Sequence, residues 1–158
     1  MTVIVYTSHT GSTKKYAEIL SSRTGLRCFS VKDEIPDNES IIFMGWLSGP
    51  RIKGLDRIDP HRLIAVVSVS LSDPPEFGWN KVKDVNHISC AFFHLLGWID
   101  RSKLHIHEKI LFAFICASYK LKGLDSTTSP LFDAMMEGGS FFDESALDPV
   151  CDFASKHL

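Results

Sequence analysis

A chain of 158 residues is the size of one domain and can bury roughly 68–70% of the surface its unfolded form exposes, enough for a full hydrophobic core. Its 44% hydrophobic and 23% charged content excludes disorder and collagen-like repeats, and 17 Lys plus Arg against 19 Asp plus Glu leave a net charge of −2, which argues against a nucleic-acid partner. Four scattered cysteines, Cys28, Cys90, Cys116 and Cys151, form neither a C-x-x-C pair nor a zinc spacing, and read as reduced, mostly buried thiols of a cytoplasmic protein.

The first residues, Met1-Thr2-Val3-Ile4-Val5-Tyr6, lack the basic start and small-residue cleavage site of a signal peptide. Thr2 to Thr7 is instead a β-branched, nearly continuous apolar run, the pattern of a strand covered on both faces. From Ser12 to Thr24, Tyr16, Ala17, Ile19 and Leu20 fall at helical spacing opposite Lys14, Lys15, Glu18 and Arg23, and Gly25 stops the helix. Further strands are predicted over Leu26 to Val31, Ser40 to Gly45, Leu63 to Val69 and Ser89 to Leu96, with Ser70 to Pro75 as a loop at a strand end. Five strands alternating with crossovers predict an α/β fold, a doubly wound five-stranded parallel sheet flanked by helices, spanning residues 1–158 as one domain.

The last third is less regular. Ser102 to Lys122 reads as a helix, apolar nearly all round through Ile110 to Ile115, which predicts core burial ahead of contact with a partner. The apolar run from Ile110 to Ala117 is well short of the ~20 residues that cross a bilayer, so no transmembrane segment is expected. A closing helix begins near Asp148 with Pro149 in its first turn.

The chemistry concentrates after the first strand, in Ser8-His9-Thr10-Gly11-Ser12-Thr13. A phosphate there would meet unpaired N–H groups and the positive end of a helix dipole, hydroxyls would add hydrogen bonds, and Gly11 would permit close approach. The plain alternative is an N-cap at Ser12 in an ordinary polar turn. No G-x-G-x-x-G and no Walker loop is present.

Ser8, Thr10, Gly11 and Thr13 match the Ser/Thr-x-Thr-Gly-x-Thr phosphate loop of the flavodoxin family, which the chain resembles. The resemblance implies a flavodoxin-like fold that binds FMN noncovalently and transfers electrons, with phosphate capture by Ser8, His9, Thr10, Gly11, Ser12 and Thr13. It further implies that the loop Gly45-Trp46-Leu47-Ser48-Gly49-Pro50 flanks the isoalloxazine, with Trp46 stacking on the ring and Gly49 allowing a peptide rearrangement. Ser70, Leu71 and Ser72 would face the other edge, with Phe77 and Trp79 further on as candidate covers.

Within that group the chain is similar to bacterial protoporphyrinogen oxidases of flavodoxin type, through its length, Gly45-Trp46, and Ala91-Phe92-Phe93 running to Leu104. It has Gly97-Trp98-Ile99-Asp100-Arg101 where that subgroup commonly has Gly-x-Leu-Asp-Tyr. Three readings follow: an FMN electron carrier with a redox partner protein; a flavin-dependent oxidoreductase acting on a quinone or porphyrinogen, with entry near Phe77, Trp79 or the Ile110 to Ile115 helix; or a fold without FMN serving as an interaction module.

Other polar residues take plainer roles in the sequence. His105 and His107 point differently on a helix and read as solvated surface beside Glu108, and His87 and His94 as a surface and a packed histidine. Asp33-Glu34, Asp73 and Asp143-Glu144 read as caps and solvated loops, and no nucleophile elbow is present.

Overall fold

Five parallel strands make the centre of the computed structural model, which describes residues 1–73, 75, 78–121 and 129–158. They are β1 (Thr2–Tyr6), β2 (Arg27–Ser30), β3 (Ser40–Ser48), β5 (Leu63–Ser70) and β6 (Ala91–Leu96); the short β4 (Arg51–Ile52) folds back antiparallel on the end of β3. The order is β2-β1-β3-β5-β6. Counting the parallel strands alone, this is 2-1-3-4-5, the flavodoxin-like doubly wound order, and the chain reverses direction across the sheet between β1 and β3.

The three central strands, β1, β3 and β5, bury both faces with a period of two, while the edge strands β2 and β6 are mostly half-buried. Ile4, Ile42, Met44, Ala65, Val67, Val69 and Leu95 pack against α1 (Ser12–Thr24) and α5 (Asp148–Ser155) through Tyr16, Leu20, Leu147, Val150 and Ala154. Val3, Val5, Ile41, Phe43 and Val66 turn the other way, onto Ile52, Leu55, Ile58 and Val82 of α2 (Gly78–Val85). Each fully buried aliphatic side chain contributes roughly 1.5–3 kcal/mol, so a two-sided sheet is where this chain's β-branched runs are most stable.

The α1 helix ends as the sequence predicts, with Gly25 at φ 74° donating its N–H to the Ser21 carbonyl. Tyr16 on α1 is sealed in the core, where its hydroxyl donates to the Leu96 carbonyl at 2.6 Å and accepts the Asp143 N–H at 3.0 Å. One side chain thus ties α1 to the end of β6 and to the segment before α5.

Three features depart from the sequence reading. β3 runs three residues past Gly45, because Gly45, Trp46, Leu47 and Ser48 continue to pair with β5 and then β4. A two-stranded antiparallel unit, β7 (Trp98–Ile99) with β8 (Gly139–Ser140), was not predicted; two-residue strands carry no periodicity to read. The predicted helix Ser102 to Lys122 divides into a 3-10 turn, Arg101–Lys103, capped by Asp100, and α3 (Ile106–Leu121), with Lys122 outside the described residues.

The expected burial of that helix is overturned. Of its described side chains only Cys116 is buried, while Ile106 is 77% and Phe114 70% exposed, with Ile110 and Leu111 also exposed. The helix packs on α4 (Ser129–Glu137), outside both sheet cores, so an apolar sequence signalled the helix without signalling its burial. No helix among the described residues is long and apolar enough to cross a membrane. Nor are the thiols mostly buried: Cys116 alone is, while Cys28, Cys90 and Cys151 are half-buried and all four are free.

Candidate functional site

The Ser8 to Thr13 segment lies where the carboxyl end of β1 meets the N-terminus of α1, at the point where the strand order reverses. In open α/β sheets ligands sit in the crevice at that point. Gly11 holds φ 106°, a left-handed conformation that an L side chain rarely adopts, and occupies the N-cap without a side-chain cap. The first bond of the helical ladder runs from the Lys15 N–H to the Gly11 carbonyl at 3.0 Å, so the N–H groups ahead of it lie outside the ladder. Ser12 is thus not the N-cap.

Ser12 and Thr13 are 6% and 1% exposed, and their hydroxyls have no hydrogen-bond partner among the described residues. Ser8 is engaged, its Oγ accepting the Gly11 N–H at 3.2 Å. Thr10 is engaged twice: its Oγ1 donates to the Trp98 carbonyl at 3.0 Å, and its carbonyl accepts the Trp98 Nε1–H at 2.9 Å. The β7–β8 pairing holds Trp98 in position for this exchange, and the Phe141 N–H bonds the Gly97 carbonyl at 2.9 Å.

Two further groups reach the segment from remote sequence. A Cβ placed on Gly11 would lie 3.4 Å from Trp98 Cζ2 and 3.5 Å from Lys103 Nζ, so the indole and the ammonium stand over the glycine. A Cβ on Gly97 would lie 2.6 Å from Ser12 Oγ and 2.8 Å from Val69 Cγ1, so β6 leaves the sheet through a position with room only for glycine. Sequence reasoning missed Lys103, and its one signal was the basic turn directly after the fifth strand.

His9 leaves the loop sideways. Its Nε2 meets Glu108 Oε2 at 3.0 Å, and its ring stacks on Trp46 at 5.3 Å between centroids, 23° from parallel, and beyond it on His105 at 5.7 Å. Burial pushes the Glu108 carboxyl up, but hydrogen bonds from the His105 N–H and from His9 outweigh it and hold the carboxyl below its ordinary value. His105 and His107 are exposed, as expected, yet stack 8° from parallel.

The second predicted loop is a hairpin. Trp46 lies in register with Val69, its carbonyl accepting the Lys53 N–H at 3.0 Å; Leu47 pairs with Ile52 and Ser48 with Arg51. Gly49 takes φ 57°, the positive φ that the first central residue of such a two-residue turn demands. Asn86 pins the hairpin from the end of α2, accepting the Ile52 N–H and donating to the Pro50 carbonyl.

In the third loop, Ser70 Oγ donates to the Ser72 carbonyl at 2.8 Å and the Ser70 carbonyl accepts the Gly97 N–H, while Leu71 and Ser72 are half-buried. Asp73, expected as a cap or a solvated loop residue, is exposed in a loop and also meets His94 Nε2 at 2.8 Å and accepts the Trp79 Nε1–H at 2.9 Å. Trp79 lies against His94 and Phe92, so it covers the second core and not the phosphate loop; Phe77 falls outside the described residues. Ser68, opposite His94 in register, is sealed and bonds nothing, which leaves the Asp73–His94 pair no accessible nucleophile there.

Among the described residues no group of three or more His, Cys, Asp or Glu is placed to hold a metal. A shallow pocket lined by Met1, Leu26 and Leu158 opens at the amino ends of the strands, away from the loop. The loop itself suits a phosphate monoester: a helix N-terminus without a side-chain cap, a glycine whose positive φ few other residues adopt, and two hydroxyls without partners among the described residues. A ring stacking on the face of Trp46 that His9 covers would have to displace His9.

No family profile and no curated protein matches the chain. One solved structure, described as a flavodoxin from the domain Archaea, aligns over 60% of this chain and 82% of its own, with 15% identity and a TM-score of 0.41.

Proposed function

We propose that this chain binds FMN noncovalently and acts as a redox protein. The observation that carries the reading is the N-terminus of α1 at the sheet's switch point, where Gly11 at φ 106° leaves the helix without a side-chain cap and the Ser12 and Thr13 hydroxyls lack partners among the described residues. The bound flavin would supply the electron-transfer chemistry, and no side chain need serve as a base.

This chain's residues would do three things. Ser8, Thr10, Gly11, Ser12 and Thr13 would hold the phosphate, with the α1 dipole favouring its charge. Trp46, on a strand braced by β4 and Asn86, would present a rigid aromatic wall, with Leu47, Ser48 and Gly49 lining the adjoining edge. Ser70, Leu71 and Ser72 would line the other edge, held to the end of β6 by the Gly97 N–H.

A second reading, a flavin-dependent oxidoreductase for an apolar small substrate such as a quinone or a porphyrinogen, draws on one observation. The first turn of α3 touches the loop through Glu108 and His9 and exposes Ile106 and Ile110 beside it.

The first test is the visible spectrum of gently purified protein, followed by titration with FMN and with riboflavin, which lacks the phosphate. FMN bound far better than riboflavin is the expected result. Binding of neither flavin overturns the cofactor reading and favours an interaction module. Steady-state quinone reduction with a porphyrinogen donor then separates enzyme from carrier.

A further inference from the structure

We infer that Lys103 is the charge partner of the bound phosphate and strengthens the preference of the loop for a dianionic phosphate monoester over its neutral analogue. The inference rests on reading Ser8 to Thr13 as a phosphate site and adds to it a residue from outside the loop.

The geometry singles out this ammonium. Lys103 ends the 3-10 turn Arg101–Lys103, which the Asp100 side chain caps by accepting the Ser102 N–H at 3.0 Å and which the buried Leu104 anchors. That turn brings Nζ to 3.5 Å from where a Cβ on Gly11 would be, over the uncapped end of α1. The other cation of the turn is committed elsewhere, since Arg101 donates to the Met135 and Met136 carbonyls at the end of α4. Lys14, on the first turn of α1, pairs with Glu18 at 3.7 Å.

Lys103 is weakly held. Its carboxylate partner among the described residues, Asp100 Oδ2, is 3.9 Å away, and the other oxygen of that carboxylate serves Ser102 twice. The nearby Glu108 carboxylate is occupied by His9 and the His105 N–H. A phosphate at the loop would therefore meet the ammonium of a side chain that is 55% exposed and can exchange a loose ion pair for a charge-assisted hydrogen bond to a dianion.

The hydroxyls and N–H groups of the loop recognise the oxygens of any oxyanion, whereas an ammonium rewards each added negative charge. Lys103 therefore acts on charge, and its contribution is screened by salt.

The test uses the whole chain, titrated with FMN, riboflavin and inorganic phosphate at several ionic strengths, with K103Q and K103R compared to wild type. The expectation is that K103Q weakens FMN binding about tenfold, leaves riboflavin binding unchanged and flattens the salt dependence, while K103R retains most of the affinity. Thermal upshift by inorganic phosphate should shrink in parallel in K103Q. FMN binding by K103Q equal to wild type at low salt overturns the assignment to Lys103 alone. Wild type that does not prefer FMN to riboflavin overturns the phosphate-site reading, and this inference with it.

Discussion

His9 and Glu108 lie 99 residues apart in sequence and meet at 3.0 Å, joining the loop at the end of β1 to the first turn of α3. The contact fixes both ends of a candidate site, since His9 also covers one face of Trp46 and Glu108 also caps the start of α3 through the His105 N–H.

The pair makes stability depend on acid. The Glu108 carboxyl is held below its ordinary 4.5, so its contribution is complete at neutral pH and fades as pH falls through the folded value. E108Q should lose about 0.5–1 kcal/mol at pH 7, and the gap to wild type should narrow as pH falls below 4.5 and through the lowered folded value. Urea unfolding at a series of pH values measures this; a gap that stays constant as pH falls below 4.5 would refute the charge account.

Because His9 stacks on Trp46, a flavin ring that takes the same face has to displace it. H9A should therefore bind riboflavin about two- to tenfold more tightly, the range expected for one aromatic contact. Quenching of tryptophan fluorescence reports it. Unchanged or weaker riboflavin binding would place the ring elsewhere.

Tyr16 makes its hydrogen bonds where water cannot replace them. Y16F leaves the Leu96 carbonyl and the Asp143 N–H to find new partners, at a cost of about 1–3 kcal/mol. The urea midpoint should drop with an unchanged slope, and an unaltered midpoint would show that both groups were already solvated.

G97A places a methyl 2.6 Å from Ser12 Oγ and 2.8 Å from Val69 Cγ1, and both neighbours lie in packed surroundings. Destabilisation of about 1–3 kcal/mol is expected, together with a fall in the FMN-to-riboflavin affinity ratio as Ser12 gives way. Loss of stability with the ratio intact would separate Gly97 from the loop.

The sequence by itself determined the sheet and the loop. Apolar runs at Thr2, Ser40, Leu63 and Ser89 marked strands because a parallel strand in a covered sheet does not alternate, and Gly25 marked the end of α1 because left-handed backbone favours glycine. These signals are local.

Tertiary structure alone decided what surrounds the loop. Trp98, Lys103 and Glu108 arrive there through the β7–β8 pairing, a 3-10 turn and the placing of α3, none of which leaves a periodic trace in two to four residues. It also decided that Gly45 to Ser48 extends a strand and that α3 lies outside the sheet cores. An apolar helix of this length is compatible with a core or an exposed face, and only what packs against it selects between them.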